Sequence, residues 1–552
     1  MKCTSYLTAG ASVLAIAAIA SLTTGASAHQ IYYPSKLGTM AVDPNTPLTH
    51  VGPYSNHVYL APKNAKSGKW TDTTAKLPFA NGPWDPIQLT DGTIIVEDFC
   101  TTPTQWYKLT PDKTGNYVKG SWSKIAVMPT GYSPLFFASQ VLTDGRLIVN
   151  GGEYNASSNA CGSGKWTNLG ALYDPVADSW TSVTAPTNWH SIGDAQSIIL
   201  PDGSYMLAEC CGELQAIAAI SGTTVTWTGT GSGKADDDDE EGWTALPGGN
   251  VFTVDAWKLN TGGSGDNYEI YNTSTGTWSS LGYTPDTLTI TSTRELGPGP
   301  LTPVYGKSGT IIQFSGNPNL GVNDIYDVSS NTWKSGPVMT VSGTIYDVAD
   351  GPAVTLPDGN VLVDASPSTF GYPSHFWEWS FNKKTGAPKA TQVNDTAQAA
   401  GTSSFEGNLM MLPTGQAIWD DSQTTPNEVS IYTPVGKPKK TWLPVVSSVA
   451  SKLKSGSTGN AISGTNFNGF DLGGQYGDDA QEATNFPLVR IINTKTGDVC
   501  YARSYSFSTM GVWTSGTTNA SFDIPKTCEK GASTLQVVVN GIASAGTKVT
   551  LS

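Results

Sequence analysis

Four carboxylates, Asp194, Glu240, Asp350 and Glu406, each stand nine residues ahead of a glycine that separates two apolar runs. Asp85 and Glu295 precede the turn glycines of two further copies of the pattern, by seven and fourteen residues, and Glu241 adjoins Glu240. Equivalent positions of a repeated unit converge when the units are arranged around an axis, and carboxylates gathered in this way raise one another's pKa. Such a group must hold a cation, share protons or stay hydrated. Oxygen donors from Glu240, Glu241 and Asp350 suit calcium, which takes six to eight of them. A pair drawn from Asp194, Glu240, Glu295, Asp350 and Glu406 could instead act as acid and base, or as nucleophile, on a glycosidic bond. In a third use the ring accepts hydrogen bonds from sugar hydroxyls. Asp85, His190 and Glu241 would then add contacts, and Trp84, Trp243, Tyr372 or His375 would stack on the sugar faces.

The elements that would position these side chains form a repeat. Seven copies of an apolar stretch, a tight turn ending in glycine and a second apolar stretch occur, with turn glycines Gly92, Gly145, Gly203, Gly249, Gly309, Gly359 and Gly415. IQLTDGTIIVED and AVTLPDGNVLVDA are representative. Asp-Gly and Gly-Gly supply the positive φ that a tight hairpin needs between β-branched strands. Between hairpins a tyrosine is followed seven residues later by a tryptophan, as Tyr173 to Trp180, Tyr271 to Trp278 and Tyr326 to Trp333. Hairpin, tyrosine strand and tryptophan strand make a four-stranded sheet, and a radial array of such sheets protects its own edges. Trp70 precedes the first hairpin and has none of its own, so its strand is expected to complete the last sheet and close the ring.

Composition agrees with an all-β chain. Of 552 residues 60 are glycine and only 14% are charged, against about 25% in ordinary soluble domains, which disfavours helical bundles and coiled coils. Acidic residues outnumber basic ones by 45 to 31, a formal charge of −14, so no basic face for nucleic acid is expected. Residues 1–28 read as a secretory signal, with Lys2, an apolar run and the small-residue site Ala26-Ser27-Ala28. No later run is long enough to span a membrane, and a secreted protein, extracellular or periplasmic and monomeric, is expected. Six cysteines remain after removal of the signal. Cys500 and Cys528 are expected to pair. Cys100 with Cys161 plus a vicinal Cys210–Cys211 bridge is one option for the rest, and pairing between neighbouring loops is another. A thiol metal site is the less favoured reading, because no C-x-x-C or accompanying histidine spacing is present.

The hairpins, the Tyr-to-Trp spacing and the Gly151-Gly152 pair after LIVN resemble kelch repeats. A secreted seven-bladed kelch β-propeller followed by an immunoglobulin-like β-sandwich is similar to the galactose oxidase and glyoxal oxidase superfamily. The run GGQYGDDAQEATNFPLVRI, followed by ARSYSFSTMGV, resembles the C-terminal domain of that superfamily. The resemblance implies a propeller over residues 29–434, a linker at 435–441 and a C-terminal domain over 442–552. It also implies a copper-radical site, in which Cys, Tyr and a Tyr-His pair stand at the carboxylate register of three hairpins and a further His comes from the C-terminal domain. Here that register holds Asp194, Glu240, Asp350 and Glu406, and the C-terminal position falls at Ser508-Thr509-Met510. An oxygen-only set is not the nitrogen-rich site copper prefers.

The expectation is therefore a propeller of this type without the copper ligands. It would recognise, and in an enzymatic version cleave, extracellular carbohydrate at an acidic channel mouth, with calcium the cofactor to consider. A copper-radical carbohydrate or aldehyde oxidase is the alternative by family analogy, and a non-catalytic adhesion or wall-associated module is the third reading. The acidic run Asp236 to Glu241, taken alone, reads as a solvated loop.

Overall fold

The computed structural model describes residues 67–73, 75–156, 166–382, 384–422, 427–477 and 480–552. The expected signal segment and Cys161 lie outside these residues. Each turn glycine, from Gly92 to Gly415, has a positive φ between 74° and 94°, the conformation that puts glycine in these turns. Each hairpin is extended outward by two further strands. The seven-residue spacing is explained by register, since Tyr173, Tyr271 and Tyr326 stand directly opposite Trp180, Trp278 and Trp333 on the adjoining antiparallel strand. Their ring centroids are 5.0, 5.4 and 4.9 Å apart, within the range of favourable aromatic pairs.

Seven such sheets make a β-propeller. The innermost strands of blades one to seven are Pro83–Gln88, Ala138–Val141, Ser197–Ile199, Thr244–Ala245, Leu301–Thr302, Ala353–Thr355 and Gly407–Met411. Burial falls outward along each blade. In blade one Ile94–Asp98 is wholly buried, whereas the outermost strand Ser121–Lys124 is mostly exposed. Blade seven takes its fourth strand from the beginning of the described chain, Lys69–Asp72, with Trp70 opposite Tyr432. The ring is thus closed by joining two distant parts of one chain, which leaves no unpaired edge at the seam.

A short 3₁₀ turn, Lys440–Trp442, leads into a nine-stranded sheet. The strands at the two ends of its pairing path, Val445–Val449 and Lys452–Leu453, are neighbours in sequence, so the sheet must roll back on itself. The Cys500–Cys528 disulfide ties this domain together. The domain also inserts a finger into the ring. Gly474–Gln475 adds a strand to the innermost edge of blade six, with Gln475 opposite Ala353 and Gly474 opposite Val354. Tyr476 follows, buried against Trp84 with its hydroxyl donating to the Phe405 carbonyl at 2.8 Å. The segment Ser508–Met510, where the resemblance puts a C-terminal ligand, instead lies at the Pro201 turn of blade three. The Met510 amide and the Thr509 hydroxyl both donate to the Pro201 carbonyl. The part of the C-terminal domain that reaches the axis is therefore the finger.

Candidate functional site

The chain makes the same sharp turn as it comes to the innermost strand of six blades. Asp85, Phe136, Gly193, Glu240, Arg294 and Asp350 all have positive φ, from 49° to 74°. Five of these are not glycine, and each such conformation costs on the order of 1–3 kcal/mol and gathers at functional sites. Blade seven differs, because its approach is a 3₁₀ turn, Ser404–Glu406, in which the Glu406 carboxylate accepts from the Ser403 amide at 2.8 Å as a capping box.

Glu240, Glu295 and Asp350, from three consecutive blades, bring carboxylate oxygens within 4.8 Å of one another, and all three residues are buried. The finger closes over them. A Cβ on Gly477 would lie 2.9 Å from Asp350 Oδ1, and one on Gly242 would lie 2.5 Å from the Gly477 carbonyl, so both positions need glycine for this approach. Glu295 belongs to the group despite a hairpin turn that begins further along the chain. Glu241, expected as a calcium ligand, does not. It turns the other way and pairs with the Lys234 ammonium at 3.0 Å.

Lys234 is the centre of a second acidic cluster. Its ammonium also contacts Asp255 and Glu269, each at 3.2 Å, and all four side chains are fully enclosed. Asp238, which accepts from the Gln215 amide, and Asp236, which accepts from the Trp257 amide at 2.7 Å, complete the surroundings. Burial works against the Lys234 charge, but Glu241, Asp255, Asp238 and Asp236 outweigh it and hold its pKa well above the usual value. Burial raises Asp238 and Glu241 well above the carboxylate range, and pushes Asp236 up to about 8, with Lys234 opposing the rise in each case. The run Asp236–Glu241 is therefore not a solvated loop: Asp236, Asp238, Asp239, Glu240 and Glu241 are all buried.

The remaining candidates disperse. Asp85 sits at a bulge in blade one and is fully buried, and burial pushes its pKa up to about 7 with the Ser139 hydroxyl opposing. It faces a third acidic group, since its charge raises both Glu97 and Asp420, each already driven upward by burial. Trp84 and Trp243 are wholly enclosed in the core and present no face to a sugar. His190 is exposed on a loop and Tyr372 is exposed beside a cis proline. His375 Nδ1 lies 2.7 Å from Asp395, with its ring 5.1 Å from Tyr346. Asp194 is buried next to Cys210, whose thiol is raised by burial first and then by Asp194 and Asp239. Cys100 is disulfide-bonded. The Cys210 and Cys211 sulfurs lie 2.7 Å apart, and both are close to Asp239 Oδ1, at 3.7 and 3.5 Å.

Lys234 stands two residues before the acidic run in GKADDDDEEG, its nearest cation in sequence, yet only the fold shows that it is buried among the carboxylates. An open groove of about 520 Å³ had no sequence signal. It lies between blades three and four and is lined by Trp189, Trp227, Leu214, Gln215, Thr187 and Thr230, among others, with no charged residue.

These features define a seven-bladed β-propeller with an axial finger from a C-terminal β domain and buried acidic clusters at the ring. No family model and no curated protein matches the chain. Among solved structures it is similar to a fungal alcohol oxidase of the AA5 family in complex with copper, at 13% identity over 88% of this chain and 99% of that one, with a TM-score of 0.47. It is also similar to YjhT, at 12% identity over 58% and 99% of the two chains with a TM-score of 0.35. A third is the extracellular domain of the putative one component system BT4673 from B. thetaiotaomicron, at 10% identity over 86% and 57% with a TM-score of 0.40. The assignment of the propeller stands on its seven sheets.

Proposed function

We propose that this protein is an exported, non-catalytic recognition module for neutral carbohydrate whose ring is organised by a hard divalent cation, calcium first, held by Glu240, Glu295 and Asp350. The observation that carries this reading is the meeting of three buried carboxylates, one from each of three consecutive blades, within 4.8 Å. Oxygen-only donors suit calcium and magnesium rather than copper, for which imidazole and thiolate are the better ligands. The donor set does not fit the copper-radical centre of the resembling oxidases. Hydrolysis is disfavoured by burial, because a pair of glycosidase carboxylates must straddle a sugar ring and the finger covers these. A cation binding here ties blades four, five and six to one another. Sugar contact then falls to the groove beside blades three and four. Indole surface from Trp227 and the polar groups of Thr187, Gln215 and Thr230 match a saccharide's apolar face and hydroxyls. With no cationic lining and a net charge of −14, a neutral glycan is the better ligand than an anionic one.

Terbium luminescence titrated by calcium tests the cation site. One competitive site is expected in the native chain, and its affinity should fall on the order of a hundredfold in Glu240→Gln and Asp350→Asn. Binding that is unchanged in both variants would contradict the assignment.

A further inference from the structure

We propose that Cys210 and Cys211 form a vicinal disulfide that fixes the acidic segment Asp238–Glu240 in place, making this pair a redox-sensitive modification site. The sulfur separation favours a bridge over a shared metal. Two thiolates on one tetrahedral zinc, with Zn–S about 2.3 Å, stand roughly 3.8 Å apart, whereas bonded sulfurs stand about 2.05 Å apart. The observed 2.7 Å is too close for the first and is a short movement from the second. The backbone is already turned for it, since Cys211 has a φ of 65°. The chain carries disulfides elsewhere, at Cys500–Cys528 and at Cys100, so it is built for a compartment in which thiols are oxidised.

What the bridge would hold is set by the hydrogen bonds around it. The Cys210 amide donates to the Ile192 carbonyl at 2.7 Å, which secures the turn before Asp194. The Cys211 amide donates to the Asp238 carbonyl at 3.1 Å, and the Asp238 amide donates back to the Gly212 carbonyl at 2.8 Å. Asp239 packs on both sulfurs, and the next residue is Glu240, one of the three converging carboxylates. The cysteine turn and the acidic segment are thus a single hydrogen-bonded unit.

The oxidant is a disulfide-bearing thiol–disulfide exchange catalyst of the exported compartment. Cys211 is the more exposed of the two. As thiolate it attacks one catalyst sulfur and releases the other as a thiolate. Cys210 then gives up its proton and displaces the remaining catalyst sulfur, closing the Sγ–Sγ bond. Two protons and two electrons leave the pair, and the catalyst's disulfide becomes a dithiol.

The test uses full-length protein exported by its expression host and purified without reductant. Alkylation under denaturing conditions followed by peptide mass analysis should find the Cys210–Cys211 peptide without adducts and lighter than the dithiol by two hydrogen masses. Two adducts on that peptide before reduction, or a cross-link from it to another cysteine, would overturn the bridge. Hydrogen exchange reads the consequence. The Cys211 and Asp238 amides should exchange at least ~10-fold faster after mild reduction, and also in the Cys210→Ser/Cys211→Ser variant. Unchanged exchange would overturn the coupling. An effect of reduction on the carboxylate site rests on the cation reading above. Terbium titration of the oxidised and reduced samples keeps the two apart, because failure to bind in both counts against the cation and leaves the mass and exchange results to decide the bridge.

Discussion

Two parts of one acidic run, Asp236 to Glu241, settle their charge in different ways. Asp236, Asp238 and Glu241 turn toward Lys234, which also holds Asp255 and Glu269, so an ammonium from the same loop stands among these carboxyl groups. Glu240, between Asp239 and Glu241 in the chain, turns toward Glu295 and Asp350 and meets carboxylates. Adjacent side chains thus serve opposite arrangements at a residue with a left-handed φ, 62° at Glu240. The contrast separates an acidic cluster built to hold the fold from one suited to hold a cation, a distinction that burial alone does not make.

Removing the Lys234 ammonium should have the largest effect. Lys234→Met leaves Glu241, Asp255 and Glu269 enclosed without their ammonium and should cost about 3–5 kcal/mol in unfolding free energy, read by urea denaturation. A loss below about 1 kcal/mol would mean that the carboxylates are already neutral without it. The converging group should behave in the opposite sense. Glu295→Gln should lower terbium affinity on the order of a hundredfold, yet leave the melting temperature in chelator unchanged or higher, because a repelling charge is gone. A lower melting temperature in chelator would place Glu295 among the structural carboxylates. In the groove, Trp227→Ala should weaken binding of a neutral oligosaccharide by about 3- to 10-fold without moving the melting temperature.

Stability should also depend on pH. Asp85 and Asp236, with folded values of about 7 and about 8, bind protons in the native state that the unfolded chain releases near pH 4. Their stabilisation is complete below that unfolded value and is lost as pH rises through about 7 to 8. Metal-free protein should therefore melt at a lower temperature at pH 8 than at pH 5, and a flat profile would show that these groups are ionised throughout.

Much of the architecture is legible in the chain, because the features that specify it are local. A glycine turn fixes a hairpin, and Tyr173 and Trp180 are opposed across a strand pair through a spacing that sequence displays directly. The candidate site is legible only in part. The register of Glu240 and Asp350 marks a shared place at the ring, but side-chain direction at a left-handed turn is not a periodic property. Glu295 accordingly stands with Glu240 and Asp350 where sequence suggests Glu241, and Glu241 pairs with Lys234. Trp84 and Trp243 look like sugar platforms until Tyr476 and the neighbouring blades are seen to enclose them. The finger carries no such local signal, since its pairing with blade six joins residues more than a hundred apart in sequence.

Anomalous diffraction from crystals grown with terbium would locate the hard cation proposed between Glu240, Glu295 and Asp350. One strong anomalous peak bonded to all three carboxylates is expected. No peak there, or a peak only at the Lys234 cluster or on the surface, would contradict it.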